Sequence, residues 1–293
     1  MPAPDPARIL RQHLQTDRLL GVEAVPMAEG VTLSKLGSAA QTPARPTTSP
    51  ARQDPASRSD AASRPARPAP TRTPAPPRVT SPPPATPIFA QRYPVQQGLS
   101  TDEKNKQLAA LREQLENDPA VQETRPAGTK LVWADGSPDA KIMFISEGPG
   151  EVEDQQGLPF VGPSGDLLNK MITAMGLSRD TVYLANLVKY RPPGDRPPNA
   201  NEAATSGPYL AQQVAIVAPT AIVALGGIAT KFALQTTTNI SKLRGTWSKF
   251  AYTDPPIDLM PTFHPAYLLR SYTTDNRKKV WEDLQQVLKK VGD

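Results

Sequence analysis

From Leu99 onward the apolar positions of the chain alternate between helical stripes and short continuous runs. Ser100 followed by Glu103 forms a capping box, and Leu108, Leu111 and Leu115 continue from it as one helical stripe. Residues 130–133 and 140–145 read as strands, 165–175 as a helix and 181–188 as a strand. Asn199 with Glu202 caps a helix reaching about residue 217, followed by a buried strand at 220–225 and a helix at 227–234. Residues 257–263 form the last strand, and 276–291 a closing amphipathic helix with Val280, Leu284, Val287, Leu288 and Val291 inward. Strands alternating with helices imply an α/β fold, a three-layer α/β/α arrangement around a mainly parallel sheet of about four strands.

The pattern is different upstream. Hydrophobic residues make up only 38% of the 293 residues and aromatics 5%, which is thin for a core spread over the whole length. The dilution is local: 15 of the 35 prolines fall between Pro43 and Pro94, among Ala, Ser, Thr and Arg, with no aromatic before Phe89. Such a stretch cannot bury enough apolar surface to offset its ordering entropy, so a disordered, partly polyproline-like linker is expected at residues 26–97. Ahead of it, Ile9, Leu10, Leu14, Leu19 and Leu20 make a short helical stripe within residues 1–25, and the folded domain is expected at 98–293.

Charge sharpens the picture of the linker. The formal net charge is +5, and the linker holds Arg45, Arg52, Arg58, Arg64, Arg67, Arg72, Arg78 and Arg92 against Asp54 and Asp60. A basic arm of this kind either attracts nucleic-acid phosphate without regard to sequence or is a soluble tether. The chain has no cysteine, which excludes disulfides, thiolate metal sites and a cysteine nucleophile. With two histidines, His13 and His264, a multi-histidine metal site is not expected. The N-terminal residues show no basic region followed by an apolar run, and no stretch is long enough to span a bilayer, so a cytoplasmic protein with no membrane partner is expected.

The chemistry-bearing residues fall in a few short segments. Ser146 to Asp154 follows a strand and carries Glu147 and Glu153 around a Gly148-Pro149-Gly150 turn. Leu158 to Gly162 carries Phe160, Asn186 stands near the end of a strand, and His264 leads Pro265 to Arg270 at the exit of the last one. Open α/β sheets build their sites at such strand ends, and a carboxylate, an aromatic face, an amide and an imidazole suit a pocket for a nucleic-acid base. Each residue also has a plain structural reading: Glu147 as a turn cap, Phe160 as core, Asn186 bonded to a loop, His264 as a satisfied loop residue.

Taken together and in order, these segments resemble the family 4 uracil-DNA glycosylases. That family shows G-E-x-P-G-x-x-E-D, G-x-P-F-V-G-x-x-G, N-x-x-K-x-R-P-P and H-P-x-x-L-L-R, which stand here at 146–154, 157–165, 186–193 and 264–270, with Ser146 where the family usually has Gly. The resemblance implies a monofunctional glycosylase that flips uracil out of DNA and hydrolyses its glycosidic bond. It implies that Glu147 stabilises the sugar cation and orients water, and that His264 donates to uracil O2. It further implies that Phe160 stacks on the base, that Asn186 pairs with the O4 and N3 edge, and that Glu153, near C5, helps exclude thymine, with Gly148 in the turn against the base. Ser164 at a helix start offers backbone N–H groups to phosphate, while Leu268 and Leu269 fill the gap left by the extruded nucleotide beside Arg270, the alternative for one of the two being packing under the closing helix. Lys189, Arg191 and the basic turn 242–245 are weaker candidates for DNA contact. Family members hold an iron-sulfur cluster with four cysteines. Here the third and fourth positions read Tyr190 and Ser206 and the first pair falls near residues 116–119, so a cluster-free variant without cofactor is expected. A monomer acting on uracil-containing DNA is expected; the alternatives are an inactive DNA-binding module of the same fold or a glycosylase for another deaminated base.

Overall fold

A computed structural model describes residues 89–292. The expected helix within 1–25 and most of the expected linker lie outside the described residues. The domain is already packed at Phe89, ahead of the boundary expected at 98. The Phe89 ring stacks on Tyr252 with centroids 4.2 Å apart. Strand β1 (Tyr93–Pro94) then pairs in parallel with Thr253–Asp254. A proline-rich approach concealed this anchor, because one partly buried aromatic is enough to tie a segment to the domain.

The central sheet has six strands. Its middle is β3 (Ile142–Ser146), β4 (Tyr183–Asn186), β5 (Ala221–Leu225) and β8 (Asp258–Thr262), parallel and ordered β4-β3-β5-β8. These are the four strands expected from the apolar runs. Two antiparallel edge strands extend them: β2 (Ala134–Gly136) beside β4, and β6 (Ser248–Lys249) beside β8. The first edge strand begins after the expected 130–133, where pairing with Tyr183–Ala185 starts, and it ends at Gly136, at φ +101°, where a Cβ would come within 1.9 Å of the Val182 carbonyl. The remaining short strand, β7, is Thr253–Asp254.

Residues of the parallel strands alternate between two apolar cores, one on each face of the sheet. Met143, Ile145, Ile222 and Ala224 pack with Leu108, Leu111, Leu210, Val214 and Phe232 from helices α1 (Thr101–Asn117), α5 (Ala200–Val217) and α6 (Gly227–Leu234). Ile142, Phe144, Val223 and Leu225 pack with Leu168, Met171, Ile172, Val280, Leu284 and Val287 from α4 (Pro163–Ala174) and α9 (Thr274–Gly292). Burial on both faces is why these strands read as unbroken apolar runs. Both capping boxes form, with Glu103 Oε2 accepting from Ser100 N at 2.8 Å and Glu202 Oε2 from Asn199 N at 2.8 Å. Two further short helices are α2 (Pro119–Thr124) and α3 (Glu151–Gln156), and α7 is Ile240–Leu243. The segment after His264 is helical, α8 (Pro265–Arg270), rather than a loop. Among the described residues no helix is long and apolar enough to cross a membrane.

In chain order the strands run from β3 outward to β4, then back across to β5 and β8, so the order reverses between β3 and β5. The carboxyl ends of the strands at such a reversal leave a crevice. Ser146, Asn186 and the residues just after β5 and β8 all meet there.

Candidate active site

The crevice holds a cavity of about 280 Å³ lined by Ser146, Glu147, Gly148, Glu153, Phe160, Ser164, Asn186 and His264, among others. Side chains far apart in sequence therefore converge, and the volume suits one small planar ring.

Glu147 leaves β3 directly into the turn. Its carbonyl accepts from Val188 N at 3.1 Å, continuing the pairing of β3 with the segment after β4. Gly148 permits that approach, for a Cβ there would stand 2.7 Å from Val188 Cγ2. The Glu147 carboxylate accepts no hydrogen bond from the described residues. Burial raises its pKa, while the Arg270 guanidinium pulls it back down. A half-buried carboxylate with no protein donor is free to face a cation or hold a water.

Phe160 is buried and adopts a left-handed backbone, φ +55°, which an aromatic residue holds only under constraint. Three groups supply it. Arg179 Nη1 donates to the Phe160 carbonyl at 3.0 Å, and Nη2 to that of Pro159. Glu153 Oε1 accepts from Val161 N at 3.2 Å and Gly162 N at 3.0 Å. Gly165 leaves room for the Phe160 carbonyl, 1.9 Å from where a Cβ would lie. Glu153 lines the cavity, but one carboxylate oxygen is committed to the turn that carries Phe160. Ser164 also lines the cavity, in the first turn of α4.

Asn186 ends β4, is 2% exposed, and its Oδ1 has no hydrogen-bond partner among the described residues. A buried amide oxygen left unpaired is costly unless something else fills that role. Its main chain is fixed from behind: Lys189 Nζ donates to the Asn186 carbonyl at 2.7 Å, to Gln213 Oε1 at 2.5 Å and to the Trp133 carbonyl at 3.3 Å. Lys189 is fully buried and burial holds its pKa well below the usual lysine range, so it cannot reach phosphate. In the 242–245 turn Arg244 is turned inward onto the buried Asp283, while Lys242 is exposed.

His264 caps α8, its Nδ1 accepting from Ala266 N at 3.0 Å, while Nε2 lies 2.9 Å from Ser146 Oγ. Burial, helped by the Arg270 charge, lowers its pKa to about 4, so the ring is neutral near neutral pH. Beyond it the two leucines part. Leu268 is 2% exposed, on the helical face turned to the α4/α9 core, so of the pair it is the one that packs under the closing helix and it is not a surface contact. Leu269, one residue on, is 43% exposed, and Arg270 is exposed beside it. No motif pointed to Asp195 and Arg196, which line the cavity from the loop after β4; Asp195 is held there in a left-handed conformation by Arg191 at 2.7 Å.

Fold and site together define an α/β domain with a cavity the size of one small planar ring at the carboxyl edge of a parallel sheet. The family model of the uracil DNA glycosylase superfamily matches residues 133–285, and the chain belongs to that superfamily. It is 40% identical over 174 residues to the type-4 uracil-DNA glycosylase of Thermotoga maritima, covering 56% of this chain and 86% of that protein. The type-4 uracil-DNA glycosylase of Sulfurisphaera tokodaii is 41% identical over 164 residues, 54% of this chain and 74% of its own length. That of Archaeoglobus fulgidus is 34% identical over 169 residues, 56% and 82%.

Proposed function

We propose that this enzyme extrudes uracil from DNA into the cavity and hydrolyses its N-glycosidic bond, leaving an abasic site. The observation that carries the reading is the convergence of Glu147, Phe160, Asn186 and His264 on one cavity, with the Asn186 Oδ1 unpaired. That oxygen accepts the N3–H of uracil and the amide N–H₂ donates to O4. Cytosine would present an acceptor and a donor in the reverse order, leaving both groups of a buried amide mismatched. The Phe160 ring supplies the stacking face.

Breaking the bond from C1′ to N1 sends its electron pair to the base, where charge spreads onto O2, and leaves a cationic sugar. Glu147 stabilises that cation and orients the water whose oxygen bonds to C1′, the released proton passing to the carboxylate or to solvent. The neutral His264 side of the cavity faces the charge building on O2. The exposed Leu269, not Leu268, fills the gap in the stack, with Arg270 and the first turn of α4 at Ser164 near phosphate. All of these residues come from one chain, so one copy suffices.

The positions of the family's iron-sulfur cluster do not fit such a group. None is a cysteine, Tyr190 is buried with Leu115 and Val121, and the Arg125 guanidinium lies 4.7 Å from the Tyr190 ring centroid. Side chains already occupy that space, and no step of the reaction is routed through it.

An oligonucleotide with one uracil, treated with alkali after incubation, tests the reading. Strand cleavage by the wild type that falls at least ~10²-fold in Glu147→Ala supports it. Full-rate cleavage by Glu147→Ala, or release of hypoxanthine but not uracil, overturns it.

A further inference from the structure

The imidazole of His264 does not offer its proton to the cavity. Ala266 N–H can only donate, and it donates to Nδ1 at 3.0 Å, so the ring proton sits on Nε2. That nitrogen faces Ser146 Oγ at 2.9 Å, and the Nε2–H is spent on the hydroxyl. The ring cannot easily swing away. It is held at Nδ1 by the helix it caps, and its Cβ rests on the bare backbone of Gly226, 3.1 Å from where a side chain would begin.

Ser146 is the last residue of β3, 1% exposed, and lines the same cavity as Asn186 and Glu147. A hydroxyl that accepts from Nε2 keeps its own proton to donate. Among the described residues His264 is its side chain's one hydrogen-bond partner, and the open direction is the cavity. We propose that Ser146 is a catalytic residue: its hydroxyl, polarised from behind by the His264 N–H, makes the hydrogen bond to the pyrimidine oxygen on which charge accumulates as the base leaves. This rests on uracil binding as set out above. No proton changes hands. The electron pair of the broken bond stays on the base, the serine O–H stabilises it, and the imidazole N–H strengthens the serine as a donor through the chain of hydrogen bonds. His264 then acts through Ser146 as a positioning residue, which its low basicity suits, since a neutral ring keeps one defined donor.

Single-turnover rates on a uracil oligonucleotide test the assignment with Ser146→Ala, Ser146→Thr, His264→Ala and the double variant Ser146→Ala/His264→Ala. Ser146→Ala is expected to lower the rate of bond cleavage by about 10²-fold without changing the DNA affinity, as for loss of one donor to a developing oxyanion. Ser146→Thr, which retains the hydroxyl, stays within about tenfold of the wild type, and the double variant is no slower than Ser146→Ala, as members of one relay are non-additive. With 5-fluorouracil, a better leaving group that needs less stabilisation, the Ser146→Ala penalty shrinks; a merely structural role would leave it unchanged. A Ser146→Ala rate within about twofold of the wild type, with His264→Ala still slow, would assign the contact to the imidazole and overturn the proposal. A wild type that releases no uracil would instead overturn the function on which it rests.

Discussion

Acidification should destabilise this domain through one histidine. His264 has a pKa of about 4 in the folded protein against an ordinary value of 6.5, because burial opposes its charged form. As pH falls below 6.5 the unfolded chain takes up a proton that the folded chain refuses until about pH 4, so stability contributed by the neutral ring is lost across that window. By about pH 5 the unfolded state is almost fully protonated at this position and the folded state about one-tenth so, a difference of ~2 kcal/mol. Urea unfolding of the wild type and His264→Gln at about pH 7 and about pH 5 isolates it. Glu147, Arg270 and His13 are common to both proteins, so their effects cancel to first order. The wild type should lose ~2 kcal/mol more than the variant on going to the lower pH. Equal losses would refute a ring held neutral by its surroundings.

Other perturbations separate parts of the site. Leu268→Ala should cost about 2–5 kcal/mol of stability by emptying a core position, whereas Leu269→Ala should leave the melting temperature unchanged and weaken processing of duplex DNA. Arg179→Met removes the donors to Pro159 and Phe160 and should raise KM for the uracil oligonucleotide, with a loss of about 1–3 kcal/mol in urea unfolding. Tyr190→Ala should destabilise by about 3 kcal/mol, and elemental assay of the purified wild type should find no bound iron.

Much of the fold was legible because its strands are buried on both faces, so 142–145 and 221–225 appear as unbroken apolar runs. The Ser100 and Asn199 caps were legible for a local reason: three-residue spacing suffices to define them. The edge strands and the anchor at Phe89 were not, since two or three residues carry no period and their pairing depends on partners far away in sequence. At the site, residue types and order were readable, but depth was not. Leu268 and Leu269 are adjacent in sequence and differ only in which way a helix turns them. Ser146 stood out in the sequence as a departure at a glycine position, while the bond that gives it a role joins it to a residue 118 positions away.

The most direct measurement is a crystal structure of the enzyme with an oligonucleotide carrying an uncleavable 2′-fluoro-deoxyuridine. The uracil should lie in the cavity on the Phe160 ring, its N3 and O4 edge at the Asn186 amide, O2 at Ser146 Oγ and the sugar over the Glu147 carboxylate. A base still stacked in the DNA above an empty cavity, or seated with its N3 edge away from Asn186, would contradict the account.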